Sequence, residues 1–260
     1  MLKVIFFLSS IVFFSLSAHA SDNCFIAKEN GKIVKQEGKC DKRHSPFSTF
    51  KIPLALMGFD AGILHTPQKP LVEFTPEIKE SNASWYRPQT YPMHLFAPRA
   101  QTPGTWMKYS VVWYSRYIVQ KLGMEKFQHY VNQFEYGNRD LSGTPQDEGV
   151  SWIRSSLQIS PLEQIAFVEK LTKNNLPVSK QAQENTMKIM KLETIWDDWQ
   201  LYGKTGGPIE SGWFVGWIEK GSQLISFVQY IEQPKDALIS GGRTAKEAAK
   251  DNLISLTLQK

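Results

Sequence analysis

Two short patterns, far apart in the chain, hold the residues best suited to chemistry: Ser48-Thr49-Phe50-Lys51 and Lys204-Thr205-Gly206. A serine hydroxyl is a weak nucleophile until a base takes its proton during attack. On a helix, side chains three positions apart share a face, so the Lys51 amine can sit beside the Ser48 hydroxyl and act as that base. A serine at a helix start also presents a backbone N–H to a developing oxyanion. Ser-x-x-Lys occurs once here, in apolar surroundings where a charged amine is costly. A capping serine next to a solvated lysine is the competing reading of so short a pattern. In the second pattern, a strand would alternate Lys204 and Thr205 between its faces, giving one cation and one hydroxyl along a cleft. Gly206 would let a ligand approach the backbone.

Helical and strand elements must bring these patterns together. Apolar periodicity predicts helices over 49–60, 111–122, 124–134, 161–174 and 180–190. Gly62 and Gly123 stop the first two, and Ser160 with Pro161 caps the fourth. Pro53 removes one hydrogen bond and predicts a kinked first turn. Residues 66–105 hold many prolines and aromatics without clear period and read as a long, partly irregular excursion. Strands are expected at 202–205, 212–219 and 224–231, with Gly221-Ser222 as a tight connection, and a closing helix at 244–257. Near the start, Asn30-Gly31 between two strand-like runs is a strong hairpin signal. The fold class expected is therefore α+β: an antiparallel sheet built from both chain ends, flanked by helices, with a helical insertion. A site would form in the cleft between sheet and helices.

Composition bounds the rest. Residues 1–20 have a basic start at Lys3, an apolar run and Ala18-His19-Ala20 before Ser21, the layout of a secretory signal peptide. The apolar run is short for a membrane span, so the mature chain, 21–260, is expected to lack a membrane anchor and to be exported to the periplasm as one catalytic domain. Without Lys3 the formal charge falls from +5 to +4, with no basic block of the kind nucleic-acid binding needs. A mild positive balance suits small anionic substrates. Cys24 and Cys40 flank the hairpin and can form a disulfide or remain two structural thiols. His44, His65, His94 and His129 fall at no metal-ligand spacing and read as surface groups, so no metal is expected.

Five elements in order carry a resemblance: Ser48-Thr49-Phe50-Lys51; Ser110-Val111-Val112; Tyr136-Gly137-Asn138; Trp152 ahead of Ser156-Leu157-Gln158-Ile159-Ser160; and Lys204-Thr205-Gly206. Together they make the chain resemble the class D, oxacillinase-type, serine β-lactamases. Ser-x-Val and Tyr-Gly-Asn separate that class from relatives that use Ser-Asp-Asn. The resemblance implies hydrolysis of penicillin-type β-lactams through a Ser48 acyl-enzyme. It implies no cofactor beyond carbon dioxide or bicarbonate, which would carboxylate Lys51 to make it the general base. Trp152 would donate its indole N–H to that group, with Phe50 and Val112 as apolar neighbours. Ser110 would relay a proton to the leaving ring nitrogen, or serve as a helix N-cap. Lys204 and Thr205 would engage the substrate carboxylate, as would Arg243, which alternatively is a solvated helix-start arginine. The backbone N–H groups of Ser48 and Gly207 would form the oxyanion hole, where one donor is worth about 2.7–4 kcal/mol. Tyr136-Gly137-Asn138 would shape the cleft wall. A β-lactam sensor or penicillin-binding peptidase that stays acylated is the alternative, and a monomer or homodimer fits either.

Overall fold

The computed structural model describes residues 21–81, 99–143 and 150–258. The leader assigned to 1–20, His94 and the middle of the 66–105 excursion lie outside the described residues.

The hairpin forms as its sequence dictates. Strands β1 (Cys24–Glu29) and β2 (Lys32–Gly38) pair antiparallel across Asn30-Gly31. Both turn residues take positive φ, 51° and 81°, the turn that matches strand twist and that Asn-Gly favours. Cys24 and Cys40 are joined in a disulfide with a Cα–Cα distance of 5.1 Å, which closes the hairpin's open end.

Strands β3 (Lys191–Thr194), β4 (Gln200–Gly206), β5 (Ser211–Lys220) and β6 (Gln223–Glu232) complete one antiparallel sheet in the order β2-β1-β6-β5-β4-β3. β1 pairs with β6, Cys24 opposite Tyr230, so both chain ends do meet in one sheet. Gly221, at φ 58°, starts the two-residue β5–β6 turn.

The strands alternate faces, and each face has its own core. Phe25, Ala27, Phe214 and Phe227 point outward against Ala245, Ala249 and Leu253 of α8 (Gly241–Leu258). Ile26, Trp213, Val215, Trp217 and Val228 point inward against the helical insertion. Within it, α1 (Lys51–Asp60) has nine of its ten residues buried. A helix apolar all round belongs at the centre of a core, and α4 (Val112–Leu122), α5 (Met124–Gln133) and α7 (Lys180–Met190) pack on it. α6 (Pro161–Thr172) starts at Ser160 with a full capping box: Ser160 and Glu163 each accept from the other's backbone N–H.

Three expectations need adjustment. A 3₁₀ turn over Phe47–Phe50 precedes α1, so Pro53 falls inside the first α-helical turn, where an N–H has no intrahelical partner in any case. The irregular excursion contains helix α2 (Pro76–Ser81) and runs into α3 (Pro103–Tyr109), whose Thr102–Thr105 capping box is built from two threonines. Short β3 lies at the sheet edge, and all its residues are exposed, which leaves little periodic signal.

Candidate active site

The 3₁₀ turn brings Ser48 to the entrance of α1 and Lys51 to its first residue. Lys51 Nζ lies 3.3 Å from Ser48 Oγ, and the lysine is fully buried. Lys51 pairs with no carboxylate among the described residues. Burial, and then the charge of Lys204, hold its amine well below the ordinary lysine range. Phe47, just before the nucleophile, sits at φ 49°, a conformation a bulky residue adopts only when the surroundings impose it. Its backbone N–H donates to the Trp152 carbonyl at 2.9 Å.

Strand β4 closes the site from the sheet side. Lys204 lies opposite Val215 on the inner face and is buried; burial pushes its amine down to about 7. Its Nζ donates to the Thr205 carbonyl at 2.8 Å. Thr205 takes the alternate face, and Gly206 packs on the nucleophile turn. A Cβ at Gly206 would lie 2.8 Å from the Thr49 backbone nitrogen and 2.9 Å from that of Ser48, so only glycine allows this approach. Gly207 has φ 129° and no room for a side chain, its Cβ position being 2.3 Å from the Ser211 carbonyl oxygen. Trp213, paired with Gly206, donates Nε1–H to the Ser45 carbonyl and ties strand and turn together.

Trp152 is fully buried and stacks on Phe50, ring centroids 5.0 Å apart. Ser110 and Val112 lie at the α3–α4 junction. Ser110 is not an N-cap: it ends α3 as the left-handed C-cap, φ 59°, and Val111 caps α4. Val111 is buried in the inner core, whereas Val112 is half-buried. Arg243 is exposed in the first turn of α8. That helix start abuts β4, since a Cβ at Gly242 would lie 3.3 Å from Thr205 Cβ. The structure thus gathers Ser48, Lys51, Trp152, Lys204 and Gly206 around one turn, with Thr205 on the same strand and Arg243 in the first turn of the α8 start that abuts it.

Two sequence readings change. Tyr136 does not line a cleft wall. It is buried, donating its hydroxyl to Gln164 Oε1 at 3.3 Å, and burial raises its pKa far above the usual phenol. Gly137 at φ 56° lets residue 158 pass, and Asn138 binds the Ser156 carbonyl and the Gln158 N–H. The motif is a clasp on the segment that follows Trp152. His44 is not a surface group: it stacks on Tyr230 at 4.0 Å, and burial lowers its pKa. Gln164 carried no motif, although the capped start of α6 was readable and fixes its position. Among the described residues, no three His, Cys, Asp or Glu side chains gather as a metal site, and no helix is long and apolar enough to cross a membrane.

Comparison with known proteins agrees with this arrangement. Residues 17–253 match the penicillin binding protein transpeptidase domain. The chain is 36% identical to β-lactamase OXA-9 of Klebsiella pneumoniae, over 95% of each chain. It is 37% identical to β-lactamase OXA-1 of Escherichia coli, covering 92% of this chain and 86% of that one. The solved class D β-lactamase OXA-427 superposes with a TM-score of 0.78 at 37% identity, over 91% of this chain and 99% of the other. Ser48 beside the buried Lys51, the strand that seals the lysine and these likenesses agree: the chain belongs to the class D, OXA-type, serine β-lactamases.

Proposed function

We propose that β-lactam hydrolysis by this class D enzyme uses Ser48 as nucleophile and Lys51, with carbon dioxide bound to its amine, as general base. One observation carries the reading: a lysine amine sealed from solvent, without a carboxylate partner among the described residues, 3.3 Å from a serine hydroxyl. A lysine held well below its ordinary pKa has a neutral fraction, and only a neutral amine can add to carbon dioxide. The residues present fit the group, for the Phe50–Trp152 stack keeps the site apolar and Trp152 brings an indole N–H donor. When bound, the group supplies carboxylate oxygens as proton acceptors beside Ser48.

The protein's own residues do the remaining work. Ser48 Oγ adds to the ring carbonyl and the ring C–N bond breaks. Ser110 and Lys204 pass a proton to the leaving nitrogen, and water later cleaves the serine ester. Backbone N–H groups of Ser48 and Gly207 receive the carbonyl oxygen. Lys204, Thr205 and Arg243 bind the substrate carboxylate, with the arginine fork suited to two parallel bonds. An anionic substrate next to Lys204 favours its protonated form, which restores the charge that burial weakens. Residues 1–20 serve as an export leader, and the Cys24–Cys40 disulfide suits the oxidising periplasm.

The test follows a chromogenic penicillin in excess over enzyme, with bicarbonate stripped and then restored. Many turnovers per enzyme, falling without bicarbonate and recovering with it, are expected. One stoichiometric burst would identify a sensor or peptidase, and indifference to bicarbonate would refute the base assignment.

A further inference from the structure

We infer that Gln164 is a positioning residue for acylation, holding the Ser48 turn through a one-directional hydrogen-bond chain that starts at Tyr136. The inference rests on Ser48 as nucleophile.

Three bonds make the chain. Tyr136 donates its hydroxyl to Gln164 Oε1 at 3.3 Å, Gln164 Nε2 donates to Thr49 Oγ1 at 2.9 Å, and Thr49 Oγ1 donates to the Pro46 carbonyl at 2.6 Å. Thr49 has one hydroxyl proton and spends it on Pro46, so it must accept from Gln164, and the Gln164 amide is thereby fixed in orientation. All three side chains are at most 1% exposed, so no water can substitute for a missing member. Bonds aligned in one sense polarise one another.

The chain ends where precision matters. Pro46 and Thr49 bracket Phe47 and Ser48, and the Thr49 N–H also donates to the Pro46 carbonyl. The turn forces Phe47 to positive φ, a strain that must be held from outside. Gly206 presses on the turn from the sheet, and Gln164 grips it from the helical side. The grip is rigid because α6 is anchored at that end: Ser160 and Glu163 cap it, and Arg43 clamps Glu163 through two nitrogens. Ser48 Oγ and Lys51 Nζ, at 3.3 Å, are just beyond ordinary hydrogen-bond length, so a small release of the turn lengthens a distance that is already marginal.

The experiment measures stopped-flow acylation by a penicillin, resolving the noncovalent dissociation constant from the acylation rate constant, with mass spectrometry locating the adduct. Thr49→Val and Gln164→Leu keep shape and remove the bond between them. Each is expected to slow acylation about tenfold, the kinetic equivalent of one lost buried hydrogen bond, while the dissociation constant stays within about twofold. The double variant should lose far less than the product of the two single losses, since both break the Gln164–Thr49 bond. Tyr136→Phe, which frees the amide without removing it, should slow acylation by a smaller factor, and Thr49→Ser should restore the parent rate. Variants that melt earlier yet acylate at the parent rate well below their melting temperature would overturn the inference, as would multiplying losses in the double variant. An adduct absent from Ser48 in the parent would instead refute the nucleophile assignment itself.

Discussion

The candidate active site and the outer face of the sheet treat lysine in opposite ways. On the outer side, Lys246 and Lys250 of α8 both reach Glu193 Oε1, at 2.8 and 2.9 Å, and those two lysines hold the Glu193 carboxyl below its usual range. In the site, Lys51 and Lys204 are buried without a carboxylate partner among the described residues, and burial drives both amines toward neutrality. Ion pairs of the outer kind contribute about 0–1 kcal/mol each and leave the amine protonated. The inner arrangement gives up stability in exchange for a nitrogen that can react. An unpaired buried cation is destabilising anywhere else in a protein, so two in one site mark where stability has yielded to chemistry.

Substitutions in the two regions should separate most widely in turnover. Ser48→Ala and Lys51→Ala are each expected to lower kcat at least about thousandfold, as loss of a nucleophile or its base does elsewhere. Lys246→Ala and Lys250→Ala should stay within about twofold of the parent. Steady-state rates on one penicillin decide this, and a comparable loss in both regions would erase the distinction.

Gly206→Ala tests the contact that seals the inner site. Its Cβ would meet two backbone nitrogens of the nucleophile turn at under 3 Å, so the strand or the turn must shift. A displacement of that order costs about a hundredfold in rate. An alanine variant with parent kcat would mean that the strand–turn contact does not position Ser48.

The smallest effect expected is on stability against pH. A lysine whose folded pKa is about 7 binds its proton less well in the native than in the unfolded chain. Its contribution therefore rises as pH climbs from about 7 toward the ordinary 10.5. In bicarbonate-free buffer, urea unfolding of the parent should gain stability over that window relative to Lys204→Met. The outer control, Lys246→Met, should not reproduce that difference. Parallel pH curves for the parent and Lys204→Met would show that Lys204 keeps its proton in the folded state.

Local rules carried much of this molecule. Asn30-Gly31 specified its turn, Ser160-Pro161 with Glu163 specified the start of α6, and period-two runs located β4 to β6, so both chain ends could be assigned to one sheet. Ser-x-x-Lys pointed to Lys51 because the surrounding residues are apolar, a local property too. What escaped depends on contacts distant in sequence. The left-handed turn at Ser110 and the strained Phe47 are imposed by packing rather than by their own propensities. Thr102 and Thr105 cap each other in α3 through a threonine pair, a weaker signal than Ser-x-x-Glu. Gln164 looks like any helical glutamine until α6 is placed under the nucleophile turn, where it meets Thr49, 115 residues away in sequence. His44 reads as solvent-facing until Tyr230, at the other end of the chain, stacks on it.

The most direct test of the reactive amine is ¹³C NMR of the enzyme in labelled bicarbonate, run beside Lys51→Ala and Trp152→Ala. A carbamate carbon signal in the parent is expected, absent from Lys51→Ala, weakened in Trp152→Ala and rising with turnover as bicarbonate is titrated in. Full turnover by an enzyme that shows no such signal would contradict the account.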